Sequence, residues 1–340
     1  MVDDGLVSRG LMMRALVLGA TGHLGAHIVR ALLAAGHEVR AAYRSERFLE
    51  VLDGLPVERV RVDLERFEGV PEALAGCAWV FHAAAYYPAL QQRRLDALPA
   101  HLAAMRRVLE ALAAARPARF VFTSSAATIR ALPDRPVTEE DAESWPPRRP
   151  RSVYATVKIA EEHEVLRAAQ QGLPVVIVNP SICIGEYDAH RFSGHLVLLF
   201  AKHRLPVYLD CALNVVYTGD VGVGHLRAAE RGRIGERYLL TGHNVGLGEF
   251  AAAVARVAGV PPPRWRVSYG TAMAAATACE AVAWLRRGAP WLPREIVLRA
   301  RAIQRLDGTK ALRELGLPQT PLEEALRRAM TWFRRHGDLT

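Results

Sequence analysis

Lysine is almost missing from this chain. Of its 44 basic residues only Lys158, Lys202 and Lys310 are lysines, leaving 44 − 3 = 41 arginines. A compact ammonium on a flexible stem is not interchangeable with a guanidinium fork, so a chain this rich in arginine keeps lysine where arginine would fail. Cysteine is scarce as well. Cys77, Cys183, Cys211 and Cys279 are scattered, without a CxxC pair or metal-ligand spacing. That pattern excludes a disulfide framework and favours reduced thiols in a cytoplasmic protein. No run reaches the roughly 18 uncharged apolar residues of a membrane span. The nearest, residues 271–285, is shorter, contains Glu280, and reads as a buried or pocket-lining helix. The opening Met-Val-Asp-Asp-Gly lacks the basic start and apolar stretch of a secretory signal. None of the 12 histidines forms HExxH, so no metal site is expected. The serines lack a GxSxG elbow, which argues against serine-hydrolase chemistry.

The 340 residues exceed an ordinary single domain, which predicts one large domain and a smaller lobe. The net charge of +9 is spread along the chain without a nucleic-acid-binding signature. A small-molecule substrate is expected, with no nucleic-acid or membrane partner. Residues 1–12 read as a mobile leader. Strand-like runs at 14–18, 38–43, 57–62, 78–82, 119–123 and 174–179 alternate with helical stretches at 22–35, 71–75, 98–115 and 151–170. This alternation predicts an α/β fold with a doubly wound parallel Rossmann sheet. The proline-rich stretch 132–150 reads as a surface loop. Later residues give strands at 215–221 and 238–241, and helices at 246–259, 271–288 and 322–336. The expected division is a dinucleotide-binding domain of 13–179 and 212–242. Residues 180–211 and 243–340 then form a smaller, mostly helical substrate lobe.

Directly after the first strand comes GATGHLG, residues 19–25, leading into a helix. Glycines let the backbone turn tightly and approach a pyrophosphate, while a helix amino terminus offers free N–H groups and a positive dipole end. Gly19, Thr21, Gly22, His23, Leu24 and Gly25 are therefore candidate dinucleotide ligands. NAD preference commonly shows as an acidic residue about 20 positions on. Here the second strand ends in Tyr43-Arg44-Ser45. Arg44 suits a 2′-phosphate, so NADP(H) is favoured over NAD(H). Asp63 is a candidate partner for the adenine amino group.

Tyr154-Ala-Thr-Val-Lys158 puts a phenol and an ammonium on one helix face. A phenol with a pKa near ~10 is a poor base at neutral pH, and a neighbouring ammonium favours its ionised form. Ser124 and Ser125 stand at a strand end, where such sheets bind ligands. Tyr86 and Tyr87 follow the fourth strand and are candidate substrate contacts.

The chain resembles the extended short-chain dehydrogenase/reductases of the NAD-dependent epimerase/dehydratase superfamily. It is most similar to dihydroflavonol-4-reductase-like and hopanoid-associated sugar epimerase-like members. The motifs are GATGHLG, VDL (62–64), FHAAA (81–85), FTSSAAT (122–128), YATVK (154–158), VNPSICIG (178–185), GRIGERYLL (232–240) and LDGTKALRELGLP (306–318). The resemblance implies that Ser125 contacts the substrate carbonyl, Tyr154 is the acid/base and Lys158 holds the nicotinamide ribose. It also places Leu64, Ala83 and Ala84 near the adenosine side, and Pro180 and Ile182 beside the nicotinamide. A homodimer built on helices 98–115 and 151–170 is expected. Two positions depart from the family pattern. His101 stands where an asparagine is usual, and Leu213-Asn214 where many nucleotide-sugar members carry Arg-Asp. Losing that arginine removes a bidentate phosphate contact. Reversible hydride transfer to a carbonyl is the leading expectation. A nucleoside-diphosphate-sugar epimerase or dehydratase is the runner-up, and a non-catalytic dinucleotide sensor the third reading.

Overall fold

The computed structural model describes residues 11–84, 95–132, 134–147, 152–203, 206–288, 290–294, 296–298 and 305–339. Tyr86 and Tyr87 lie outside these residues. The strands are β1 (Arg14–Leu18), β2 (Glu38–Tyr43), β3 (Glu58–Arg61), β4 (Trp79–His82), β5 (Arg119–Thr123), β6 (Val175–Pro180), β7 (Ile182–Ile184), β8 (Val207–Leu209), β9 (Ala212–Tyr217), β10 (Arg237–Leu240), β11 (His243–Gly246) and β12 (Trp265–Val267). The helices are α1 (His23–Ala34), α2 (Val70–Leu74), α3 (Leu98–Ala115), α4 (Val153–Gln170), α5 (Gly194–Ala201), α6 (Thr218–Arg231), α7 (Leu247–Ala258), α8 (Tyr269–Leu285), α9 (Thr309–Leu315) and α10 (Leu322–Arg335).

Seven strands form one parallel sheet in the order β10-β6-β5-β4-β1-β2-β3. Helices cover both faces, so central strands read as unbroken apolar runs rather than alternating ones. All of β6 is buried, as are four of five residues in β1. Ile28 and Leu32 of α1, Leu226 of α6 and Leu315 of α9 fill one face. Met105, Leu109 and Leu112 of α3 and Val165 of α4 fill the other. The strand order reverses between β1 and β4, opening a crevice at their carboxyl ends where such sheets bind ligands.

The smaller lobe is mostly helical and also carries two small sheets. Its sheets are β11-β9-β7 and the pair β12-β8. Three- and four-residue strands are too short to show a period. Residues 212–242 also divide differently from expectation: β9 joins the small sheet, and only α6 and β10 return to the large one. The reason lies in its alternation, with Leu213 and Val215 in the lobe's core and Val216 in the main core. The strand expected at 215–221 ends at Tyr217, and Asp220 sits in the first turn of α6. There its carboxylate favours the helix amino terminus and accepts bonds from Thr320 N and Oγ1.

Helix α8 corrects the expectation of a buried or pocket-lining segment. It buries only Ala276 and Ala283, and none of its residues borders the crevice. Among the described residues no helix is long and apolar enough to cross a membrane.

The α1–α6 contact depends on Gly222, where an added Cβ would lie 2.7 Å from the His27 carbonyl oxygen. Both sides there are backbone, so the strain cannot be absorbed by a side chain. Gly222→Ala is expected to cost about 1–3 kcal/mol by overpacking, read as a lower urea midpoint. An unchanged midpoint would mean the helices separate freely.

Candidate active site

The crevice encloses a cavity of about 900 Å³. Its phosphate end is shaped by Gly19, whose φ of +83° favours glycine and whose Cβ would meet the Ala84 backbone at 2.8 Å. A Cβ on Gly25 would lie 2.1 Å from the Gly19 carbonyl oxygen. The loop can therefore fold against β4 and start α1 in one turn only with glycine at both positions. No acidic residue occupies the first turn of α1, whose His23 and Leu24 border the cavity. This is a cradle for an anion. Thr21, Gly22, Arg44, Asp63, Leu64, Ala83, Ala84, Pro180 and Ile182 line the same cavity. Gly25 does not; it shapes the loop from behind. Asp63 Oδ1 accepts from the N–H groups of Glu65 and Arg66, both at 3.0 Å, which fixes the turn after β3.

Ser125, Tyr154 and Lys158 line the cavity from β5 and α4. The two adjacent serines are in different circumstances. Ser124 is buried, and its hydroxyl donates to Glu162 at 2.5 Å. Ser125 is half-buried and caps the short turn Ala126–Thr128, with Oγ accepting from Ala127 N at 3.1 Å. Ser152 caps α4 by accepting from Ala155 N at 3.2 Å, so Tyr154 sits in the first turn. Its ring centroid lies 6.3 Å from that of Phe192, at an apolar end that also includes Ile182, Cys183 and Leu196.

Lys158 is fully buried and donates to Glu161 at 2.8 Å. Burial works against its ammonium, but Glu161 and Tyr154 overcome that effect and shift its pKa upward. Burial likewise opposes the Glu161 carboxylate, but Lys158 and His101 pull its pKa down to about 2. His101 occupies the position where the motif pattern anticipates asparagine, and its Nε2–H donates to Glu161 at 2.6 Å. Glu162 accepts from Ser124, from Asn179 Nδ2 at 2.9 Å and from Arg237 Nε at 2.5 Å.

Sequence reasoning missed Glu161, Glu162, Asn179 and Phe192. Two signals were available: carboxylates three and four residues after a helical lysine, and a lone asparagine ending a β-branched strand. Lys310 lies elsewhere, donating to Glu236 and to the Arg237 carbonyl at 2.7 and 2.8 Å. Leu213 is buried in the lobe's core, while Asn214 borders the cavity and donates to Asn244 at 2.9 Å. Among the described residues no group of three or more His, Cys, Asp or Glu is arranged to hold a metal.

The pH dependence of stability follows from these buried groups. Burial holds His82 and His225 neutral, with pKa values lowered to about 4, and His27 lowered to about 3. Unfolding restores the ordinary value of 6.5, so the unfolded chain binds more protons below it and stability falls as pH drops from 6.5 toward 4. Glu161 adds a second loss between its ordinary 4.5 and about 2. Urea unfolding against pH is expected to show both phases. Glu161→Gln should cost on the order of 3 kcal/mol at neutral pH by stranding the Lys158 ammonium. A neutral-pH midpoint unchanged in that variant would contradict the role of the pair.

Comparison with known proteins accords with this geometry. The NAD dependent epimerase/dehydratase family matches residues 15–240. A Synechocystis sp. protein provisionally named a dihydroflavonol 4-reductase is 34% identical over 326 residues, 94% of each chain. Sterol demethylase protein B of Methylococcus capsulatus is 32% identical over 328 residues, 96% of this chain and 99% of its own. The crystal structure of a nucleoside-diphosphate-sugar epimerase from Pseudomonas aeruginosa is 31% identical, with a TM-score of 0.80 over 96% of this chain and 99% of that one. With its parallel sheet, glycine cradle and matched motifs, this enzyme belongs to the NAD dependent epimerase/dehydratase family.

Proposed function

We propose that this enzyme is an NADP(H)-dependent oxidoreductase acting on a carbonyl or alcohol through Ser125, Tyr154 and Lys158. The observation that carries the reading is a buried ammonium sharing a helix face with a tyrosine and a cavity with that tyrosine and Ser125. A nicotinamide dinucleotide, when bound, supplies or accepts the hydride. Gly19, Thr21, Gly22, His23 and Leu24 would hold its pyrophosphate, with Gly25 supporting the loop from behind. Arg44 pairs with the 2′-phosphate, Asp63, Leu64, Ala83 and Ala84 border the adenosine, and Pro180 and Ile182 flank the nicotinamide. Lys158 holds the ribose and, through its charge, stabilises the Tyr154 phenolate. In the reducing direction Tyr154 Oη gives its proton to the substrate oxygen, with Ser125 Oγ bonded to that oxygen. Oriented hydrogen bonds to the developing alkoxide supply the rate enhancement.

Ile182, Cys183, Phe192 and Leu196 on the cavity wall favour a substrate with an apolar part, beside Asp188, His190 and Ser193 of the same wall. Helix α8 contributes nothing to the cavity lining. Leu213 in the lobe's core weighs against a nucleotide diphosphate. Similarity to the Pseudomonas aeruginosa epimerase supports a second reading, in which a sugar carbon is oxidised transiently and the cofactor is regenerated in place.

A panel of apolar carbonyls and nucleotide sugars separates the readings: net NADPH consumption supports the reductase, and isomerised sugar without net consumption supports the epimerase. Tyr154→Phe is expected to lower kcat by roughly 10²–10⁴-fold, the range for a general acid. Turnover surviving at the parent rate would reject the Tyr154 mechanism. Arg44→Ala is expected to weaken NADPH binding by about 10–100-fold, as for one charge-assisted contact, while leaving NADH binding unchanged. Equal loss for both dinucleotides would remove the 2′-phosphate role.

A further inference from the structure

Helix α8 is built the wrong way round for a surface helix. Such helices normally turn apolar residues inward and polar ones to water. In α8 the exposed positions Thr271, Ala274, Ala275, Ala278, Ala281, Val282 and Leu285 recur at helical spacing and form an almost wholly apolar outward stripe. Exposed Thr277 turns its hydroxyl back to the Met273 carbonyl at 2.9 Å, so the stripe gains no polar group from it. At the helix's carboxyl end Trp284 is 80% exposed and Leu285 72%. The chain then returns beside the helix, because Arg294 bonds Glu280 through both its backbone N–H and its guanidinium. Trp291, on that returning segment, is 76% exposed, and Leu298 is exposed further along.

The charges around this surface are predominantly basic. Residues 264–298 carry five arginines against two glutamates, and Glu280 is engaged by Arg294. Arg286 and Arg287 are exposed directly after Trp284 and Leu285. Tryptophan flanked by arginine at the end of an apolar stripe matches the boundary of a bilayer. The indoles sit at headgroup depth, the stripe enters the acyl region, and the guanidiniums meet phosphates. A symmetric contact with a second copy would instead bring two net-basic faces together, each with Arg266 and Arg294 paired but Arg286 and Arg287 exposed.

We propose that α8 and the segment through Leu298 dock this enzyme on an anionic lipid bilayer, lying in the interface without crossing it. This departs from the expectation of no membrane partner, which rested on the lack of a spanning run. An interfacial helix needs none. The proposal is independent of the catalytic reading, since binding is measured without turnover.

The test is co-flotation of the full chain with phosphatidylcholine vesicles, with and without phosphatidylglycerol, alongside its tryptophan emission. The bound fraction is expected to rise at least about tenfold with the anionic lipid, to fall with added salt, and to bring a blue shift in emission. Trp284→Asp with Leu285→Asp should abolish binding while preserving the circular dichroism spectrum, because both side chains are exposed in the fold. Arg286→Gln with Arg287→Gln should remove most of the preference for anionic vesicles. No binding to either vesicle, or undiminished binding by the aspartate variant, would overturn the proposal. So would light scattering that shows a dimer which the aspartate variant splits, since the patch would then belong to a second copy.

Discussion

A carboxylate taken out of water has to be surrounded by donors, and α4 buries two in succession. Glu161 faces Lys158 and reaches His101 on α3, so one residue joins α4 to its neighbour and balances the buried ammonium. Glu162 accepts from Ser124 after β5, Asn179 in β6 and Arg237 in β10. Adjacent helical positions point in different directions, which lets one carboxylate serve the helix pair and the other the sheet. The position of α4 above the strand ends, and with it that of Tyr154, follows from this pair of anchors.

The same anchors separate the serines. Ser124 donates its hydrogen bond to Glu162, while Ser125 caps a turn at the cavity wall. At the opposite end the control is steric rather than electrostatic. Gly19 and Gly25 exclude any Cβ from the contact between loop, β4 and α1. One end of the cavity is therefore defined by backbone shape and the other by compensated charge.

The smaller lobe follows a looser logic. Its core of Phe200, Leu213, Phe250, Met330 and Phe333 is closed by helices α5, α7 and α10. Helix α8 stands outside that core, anchored through two alanines and the Arg294–Glu280 contact. An apolar sequence normally implies burial, because apolar surface is driven from water. Among the described residues most of α8 stays exposed, with only Ala276 and Ala283 buried, so α8 lies outside the protein's cores.

The sequence by itself determined the parallel sheet, the glycine cradle and the Tyr154–Lys158 face. Each rests on local rules: strand–helix alternation, the conformations glycine allows, and a four-residue spacing on a helix. Tertiary structure decided which serine bonds Glu162, that Glu161 balances Lys158, and how β9 divides its faces between two cores. It also decided that α8 is outside rather than inside. These depend on which surfaces meet across long stretches of chain, and a periodic pattern reports a residue's face without reporting what lies opposite it.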